Sequence, residues 1–239
     1  MRRLAAALAT VAALALAPSA ARAWCWGGGT RGDGNKTTEV RPVADFTAVR
    51  LEGSIDAAVK VGGDRSVRVT IDQNLQPLVT TEVNGGTLVI RTREATWDGK
   101  GIVEITVPAL RAFTIEGSGD VSIDGGQGDL ALAIEGSGDL RWSGSAARLD
   151  ASIRGSGDLR LSGTAEQARL SVEGSGDVKA GALTARGAEV EVEGSGDVEV
   201  TLDGGTLRAR VSGSGDVVWH GTALVEQASV SGSGEIVRR

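Results

Sequence analysis

The chain reads as an all-β protein, a right-handed parallel β-helix with coils of about 19 residues, and two observations predict it. Gly-Ser-Gly-Asp recurs with its first glycine at Gly117, Gly136, Gly155, Gly174, Gly194 and Gly213, and Gly-Ser-Gly-Glu follows at Gly232, so successive copies start 19, 19, 19, 20, 19 and 19 residues apart. A fixed period near 20 is the signature of stacked repeats that bury their apolar faces against their neighbours. The second observation is parity. Two residues before the first glycine stand Ile115, Ile134, Ile153, Val172, Val192, Val211 and Val230, and four after it Val121, Leu140, Leu159, Val178, Val198, Val217 and Ile236. Even offsets share one face of a strand. The position one before the glycine is polar in every copy, from Glu116 to Ser231. A period of two with β-branched residues inside argues strand and excludes helix. The right hand follows from the preference of crossover connections between parallel strands.

Taken in order, residues 1–23 read as a secretory signal. Arg2 and Arg3 precede an apolar run from Leu4 to Ala17, and Ala21-Arg22-Ala23 supplies the cleavage site before Trp24. The run is shorter than the roughly 20 residues a span requires, so the expectation is an exported chain that does not cross a membrane. Residues 24–42, rich in glycine, threonine and charge, read as a flexible linker. Cys25 is the only cysteine and can form no internal disulfide. Trp24 stands where a lipoprotein signal places a small residue, so Cys25 reads as a free or intermolecular thiol.

Residues 43–239 read as one β-helix domain, a rod about 45–50 Å long at the strand spacing of about 4.8 Å. LEGSID, Leu51–Asp56, is a decayed copy of the repeat. VRVTI, TLVIRT and IVEITV alternate as strands, and Asn84-Gly85-Gly86 is a hairpin signal. Residues 43–112 read as about three wider coils, with regular coils from about residue 113. In the repeats, the glycines permit the tight backbone of a corner, and Gly125, Gly144, Gly163, Gly181 and Gly221 mark a second one.

The signal segment, the strand-rich part ending in VEITVPAL and the serial (V/I)xGSGD(V/L) coils resemble the exported bacterial auto-transporter adhesin family with a head GIN domain, over about residues 46–236. The resemblance implies a parallel β-helix fold and leaves the molecular function undefined. The chain stops at Arg239 with no membrane barrel after it, so self-translocation is not expected.

Charge narrows the partners. Lys and Arg number 25 against 31 Asp and Glu, a net charge of −6; the signal segment holds three of the arginines and no acid, which takes the remainder to −9. An acidic exported chain is a poor ligand for nucleic acid or an anionic membrane surface. The first candidate site is the acidic column Asp120, Asp139, Asp158, Asp177, Asp197 and Asp216, closed by Glu235. Carboxylates about 5 Å apart repel by about 3 kcal/mol at a surface-like dielectric, so the column must be solvated, hydrogen-bonded or matched by cations. One reading is a calcium ladder. The favoured one is a corner aspartate that accepts bonds from its own turn and is offset by Arg141, Arg160 and Lys179. No metal or cofactor site is assigned on this basis.

Catalysis has little to stand on: His220 is the only histidine, and uniform coils leave no long loops to build a cleft. Trp142 and Trp219 fall in a core column and read as packed anchors. Trp97 is the weak candidate for a ligand platform. The last coil leaves open sheet edges through which copies of the chain could associate, with Arg238 and Arg239 as guards. The expected function is a non-enzymatic structural or adhesion-type module of the bacterial envelope or surface. The alternative is a carbohydrate- or calcium-binding rod.

Overall fold

The computed structural model describes residues 30–93 and 101–239, and these form a β-solenoid of about seven turns with almost no helix. The signal segment, Cys25 and Trp97 lie outside the described residues. The regular coils begin with β8 (Ala112–Gly117) and β9 (Val121–Asp124), followed by β10 (Asp129–Gly136). Thereafter each coil is one long, bent strand from the residue after Asp to the next GSGD glycine: β11 (Leu140–Gly155), β12 (Leu159–Gly174), β13 (Val178–Gly194), β14 (Val198–Gly213) and β15 (Val217–Gly232), with β16 (Ile236–Arg238) last.

Neighbouring coils pair in parallel with equivalent residues opposite one another, so that Ile134, Ile153, Val172, Val192 and Val211 form a single column. All five are buried, as the parity of the sequence predicts.

An odd repeat length sets a geometric problem, because strict alternation would turn each coil's apolar face outward in the next. Every 19-residue coil must therefore switch parity an odd number of times. In β11 the inward residues are Leu140, Trp142 and Ala146, then Leu149, Ala151 and Ile153, and the switch is the exposed pair Ala147–Arg148. This bend is the second corner. The 20-residue coil needs an even number of switches. In β13 one lies at the exposed pair Gly181–Ala182, where the register against β12 shifts, and another at Gly187–Ala188, both buried. The extra residue is absorbed locally as a bulge, and the columns on either side stay aligned.

The GSGD corner is where backbones come closest. The first glycine, Gly155 in β11, has φ +135°, and a Cβ there would collide with the carbonyl oxygen of Gly136. That same oxygen accepts a bond from Ser156 N–H at 2.9 Å. The second, Gly157, would drive a Cβ into the carbonyl oxygen of Gly138. The pattern repeats up the stack, so the repeat is written by a contact between backbones, one coil to the next.

The N-terminal region departs from serial winding. β2 (Ala48–Gly53) pairs in parallel with both β8 and β6 (Thr87–Thr92); β3 (Asp56–Val61) does the same with β9 and β7 (Ile102–Val107). The first coil in the chain is thus sandwiched between two later ones. LEGSID sits in register with the repeat, with Gly53 opposite Gly117. Its Ile55 replaces the second glycine, and the coil wound beneath it, β6–β7, carries no GSGD that a side chain would strike.

Where three wider coils are expected over residues 43–112, the chain builds two coils and an antiparallel end cap. β4 (Ser66–Asp72) lies antiparallel on β7, β1 (Lys36–Val40) on β4, and β5 (Val79–Asn84) on β6. Lys36–Val40, read from composition as linker, is therefore a strand. The Asn84-Gly85-Gly86 signal is realised as a two-residue hairpin with both glycines at positive φ, the combination that matches strand twist. A 3₁₀ turn, Gln73–Leu78, closes the end of the core with buried Leu75 and Gln76. The Gln76 amide donates to Val69 O at 3.0 Å and Thr37 O at 2.9 Å and accepts from Arg41 at 2.8 Å, so the buried polar group is satisfied. At the other end Val225 and Val230, inward by position, are 43% exposed, and among the described residues no strand covers them.

The two glycines predict different responses to alanine. Gly157→Ala introduces only the collision, Gly155→Ala adds backbone strain, and Gly62→Ala, at φ +108° with open space around it, introduces strain alone. In chemical denaturation Gly62→Ala should cost about 1–2 kcal/mol, and both repeat variants about 3 kcal/mol or more. Equal effects at all three positions would refute the close-approach account.

Candidate functional site

The acidic column is a hydrogen-bonded ladder. Each carboxylate accepts, through Oδ1, the backbone N–H of its counterpart in the following coil. The run begins one coil earlier than the GSGD copies: Asp56 accepts from Asp120 at 3.0 Å, Asp120 from Asp139 at 3.3 Å, Asp139 from Asp158 at 3.1 Å and Asp158 from Asp177 at 3.2 Å. Asp177 then accepts from Asp197 at 3.1 Å, Asp197 from Asp216 at 2.8 Å and Asp216 from Glu235 at 2.8 Å. The donor is the next coil rather than the aspartate's own turn, so these bonds tie coils together. Bends whose backbone would otherwise depend on water gain an internal partner.

The second oxygens of Asp139, Asp158 and Asp177 meet basic side chains, but only two of the three expected ones, because Arg141 pairs with no carboxylate among the described residues. Arg160 bridges Asp139 Oδ2 at 3.1 Å and Asp158 Oδ2 at 3.2 Å, and Lys179 bridges Asp158 at 2.8 Å and Asp177 at 3.3 Å. Burial pushes the Asp158 carboxyl up, but the Lys179 hydrogen bond, the Asp177 N–H and the charges of Lys179 and Arg160 outweigh it and hold it below the usual carboxylate range. Lys179 is raised in turn, first by its bond to Asp158.

The remaining sequence candidates separate. Trp142 is buried in the core column, with its Nε1 donating to Gly125 O at 3.0 Å. Trp219 is also buried, and the Arg238 guanidinium lies 5.1 Å from its ring centroid, so one of the expected edge guards is a cation–π lid. His220 Nε2 meets Glu199 Oε1 at 2.9 Å. Among the described residues no three or more His, Cys, Asp or Glu side chains gather at metal-ligand spacing.

One feature has no counterpart in the sequence reading. A groove of about 710 Å³ runs along the rod beside the second corner, crossing β10, β11, β12, β13 and β14. Its floor is Leu130, Leu149, Ala168 and Ala188, all buried, and its walls carry Arg111, Arg148, Arg169 and Arg208 among Asp129, Asp150 and Glu189. Arg169 pairs with Glu189 at 3.5 Å and Arg208 with Glu226 at 2.7 Å. Among the described residues, the Arg111 and Arg148 side chains make no ion pair or hydrogen bond. The four arginines stand six, seven, five and five residues before their repeat glycines, so no single column announces them; only the bend gathers them.

The fold class these features define is a repeat-built β-solenoid whose open surface is its long side. The chain belongs to the family described as "Putative auto-transporter adhesin, head GIN domain", whose model matches residues 45–223. Solved structures agree. A putative adhesin from Bacteroides fragilis is similar at TM-score 0.79 and 25% identity, over 88% of this chain and 100% of that one. A putative lipid binding protein from Parabacteroides distasonis is similar at TM-score 0.72 and 25% identity, over 88% and 99%. A putative adhesin from the same species is similar at TM-score 0.66 and 27% identity, over 87% and 99%. The comparison with curated proteins gives no match.

The ladder distinguishes acceptor from charge. Asp158→Asn keeps an oxygen for the Asp177 N–H and loses only the partly exposed ion pairs with Arg160 and Lys179, a change within about 1 kcal/mol. Asp158→Ala leaves that N–H without its partner and should cost about 1–2 kcal/mol more. The folded state holds the Asp158 proton less tightly than the unfolded chain, so this contribution is complete above the unfolded value of about 3.9 and is lost as pH falls through the lower folded value. Urea titrations between neutral pH and pH 3 should show a shallower acid loss of stability in Asp158→Asn than in the wild type; parallel curves would contradict the assignment.

Proposed function

We propose that the chain is an exported, non-enzymatic adhesion-type module of the bacterial envelope or surface, a rod that presents its long side to an extended partner. The groove carries this reading: it follows the rod axis over successive coils and is open along its length. Family membership supports the adhesion class. Carboxylates that would otherwise suggest acid–base or metal chemistry are committed to backbone N–H groups, Arg160 and Lys179. Export rests on the signal read in residues 1–23, and no helix among the described residues is long and apolar enough to cross a membrane.

Two measurements test the proposal. The protein recovered from outside the cytoplasm should begin at Trp24; a cytoplasmic protein retaining Met1 would overturn the export assignment. Purified protein should bind cell envelopes without releasing product from envelope polysaccharides, and its Tm should be the same with calcium or chelator. A Tm raised by many degrees with calcium would instead make the acidic column a cation site, and released oligosaccharide would make the rod an enzyme.

A further inference from the structure

We infer that the groove beside the second corner binds an extended acidic polysaccharide through Arg111 and Arg148, an inference that rests on the adhesion reading and deepens it. Shape is the first argument. From the strand that follows Arg111 to the one that holds Arg208 the groove crosses five coil spacings, about 24 Å at the usual strand separation. A narrow trough of that length suits a polymer lying along the axis better than a compact ligand, which an enclosed pocket would surround.

The lining is the second argument. Leu130, Leu149, Ala168 and Ala188 beneath the trough turn into the core, so a ligand meets the exposed residues between them. Asp129, Asp150 and Gln167 on the walls are acceptors and donors for ring hydroxyls.

Charge supplies the third argument and selects the class. In a chain of net charge −6, four arginines line this groove. Two are neutralised by Glu189 and Glu226. Arg148 is the register partner of Asp129 and lies two residues before Asp150, yet forms a salt bridge with neither, and Arg111 likewise has no ionic partner among the described residues. Arg111, immediately before β8, and Arg148, in β11, lie two strand spacings apart along the axis, about 10 Å between backbones. Planar guanidinium forks match carboxylates bidentately. Two such forks at that separation, with acids between, fit a polymer whose carboxylates are spaced along the chain and disfavour one with a charge on every unit, which Asp129 and Asp150 would repel.

The test is binding of the full exported chain to hyaluronan, with a carboxylate on every second sugar, and to alginate, with one on every sugar. Neutral dextran and anionic phospholipid vesicles are the comparisons. Hyaluronan should bind best and weaken with added salt, dextran should not bind, and Arg111→Ala/Arg148→Ala should weaken binding by about tenfold or more with an unchanged Tm. Arg141→Ala, which removes one arginine charge from another face, should leave it unaltered, whereas Arg148→Ala alone should already weaken it. Equal loss in Arg141→Ala, full binding by the double variant, or equal affinity for dextran would overturn the inference. So would binding to vesicles with none to the polysaccharides, which would make the groove a lipid site. Envelope binding that survives in the double variant defeats this inference alone, whereas no binding to envelopes or polymers defeats the adhesion reading as well.

Discussion

Between one GSGD corner and the next there is room for backbone and nothing else. The carbonyl oxygen of Gly136 sits where a Cβ of residue 155 would be and accepts the bond from Ser156, so a side chain there would abolish the contact that sets the spacing. Much else follows from that approach. With the corners locked, the strands leaving them run in register, the Ile134–Val211 column stays inward, and the aspartates fall one above another at a separation where each can reach the next coil's N–H. The odd coil length then forces a parity switch, and the switch makes the second corner with the groove beside it. Where a coil gains a residue, as in β13, the register shifts at Gly181–Ala182 against β12 and between Ala180 and Ala188 against β14, and the GSGD corners do not move.

Electrostatics follow the same geometry. A column of like charges about 5 Å apart is repulsive in isolation, yet here each carboxylate points one oxygen at a backbone N–H, and in the middle of the rod the other meets Arg160 or Lys179. The most conspicuous acidic feature of the sequence is thus part of the scaffold. The least conspicuous basic one, arginines scattered over three different offsets, lines the groove beside the second corner. Many charges are paired within the rod, and along the groove Arg111 and Arg148 are left without an ionic partner among the described residues.

The solenoid, its core columns and its corners were legible because repetition amplifies each signal: a single Ile two residues before a glycine says little, whereas seven aliphatic residues at that position define a face. The aspartate ladder was half legible. Its column and its basic neighbours could be read, but the donor could not, since an N–H from the next coil and one from the same turn leave the same sequence pattern. Residues 36–112 are only partly legible because their repeats are not consecutive in space. β2–β3 lies between coils that come later in the chain, and no local pattern records a strand pairing on both sides with distant partners. The groove was invisible for a related reason, since it arises at the parity switch, where the offsets of its arginines cease to be equivalent.

Native-state hydrogen exchange at the corner amides tests the ladder most directly. Asp139, Asp158, Asp177 and Asp197 lie in partly or largely exposed bends, yet each N–H is bonded to the carboxylate of the preceding coil. These four amides should exchange as slowly as that of Ile153 in the core, opening only with cooperative unfolding of the coils. Exchange as fast as at Gly85 in the hairpin turn would contradict the account, because the corners would then be solvated loops and the aspartates would not join one coil to the next.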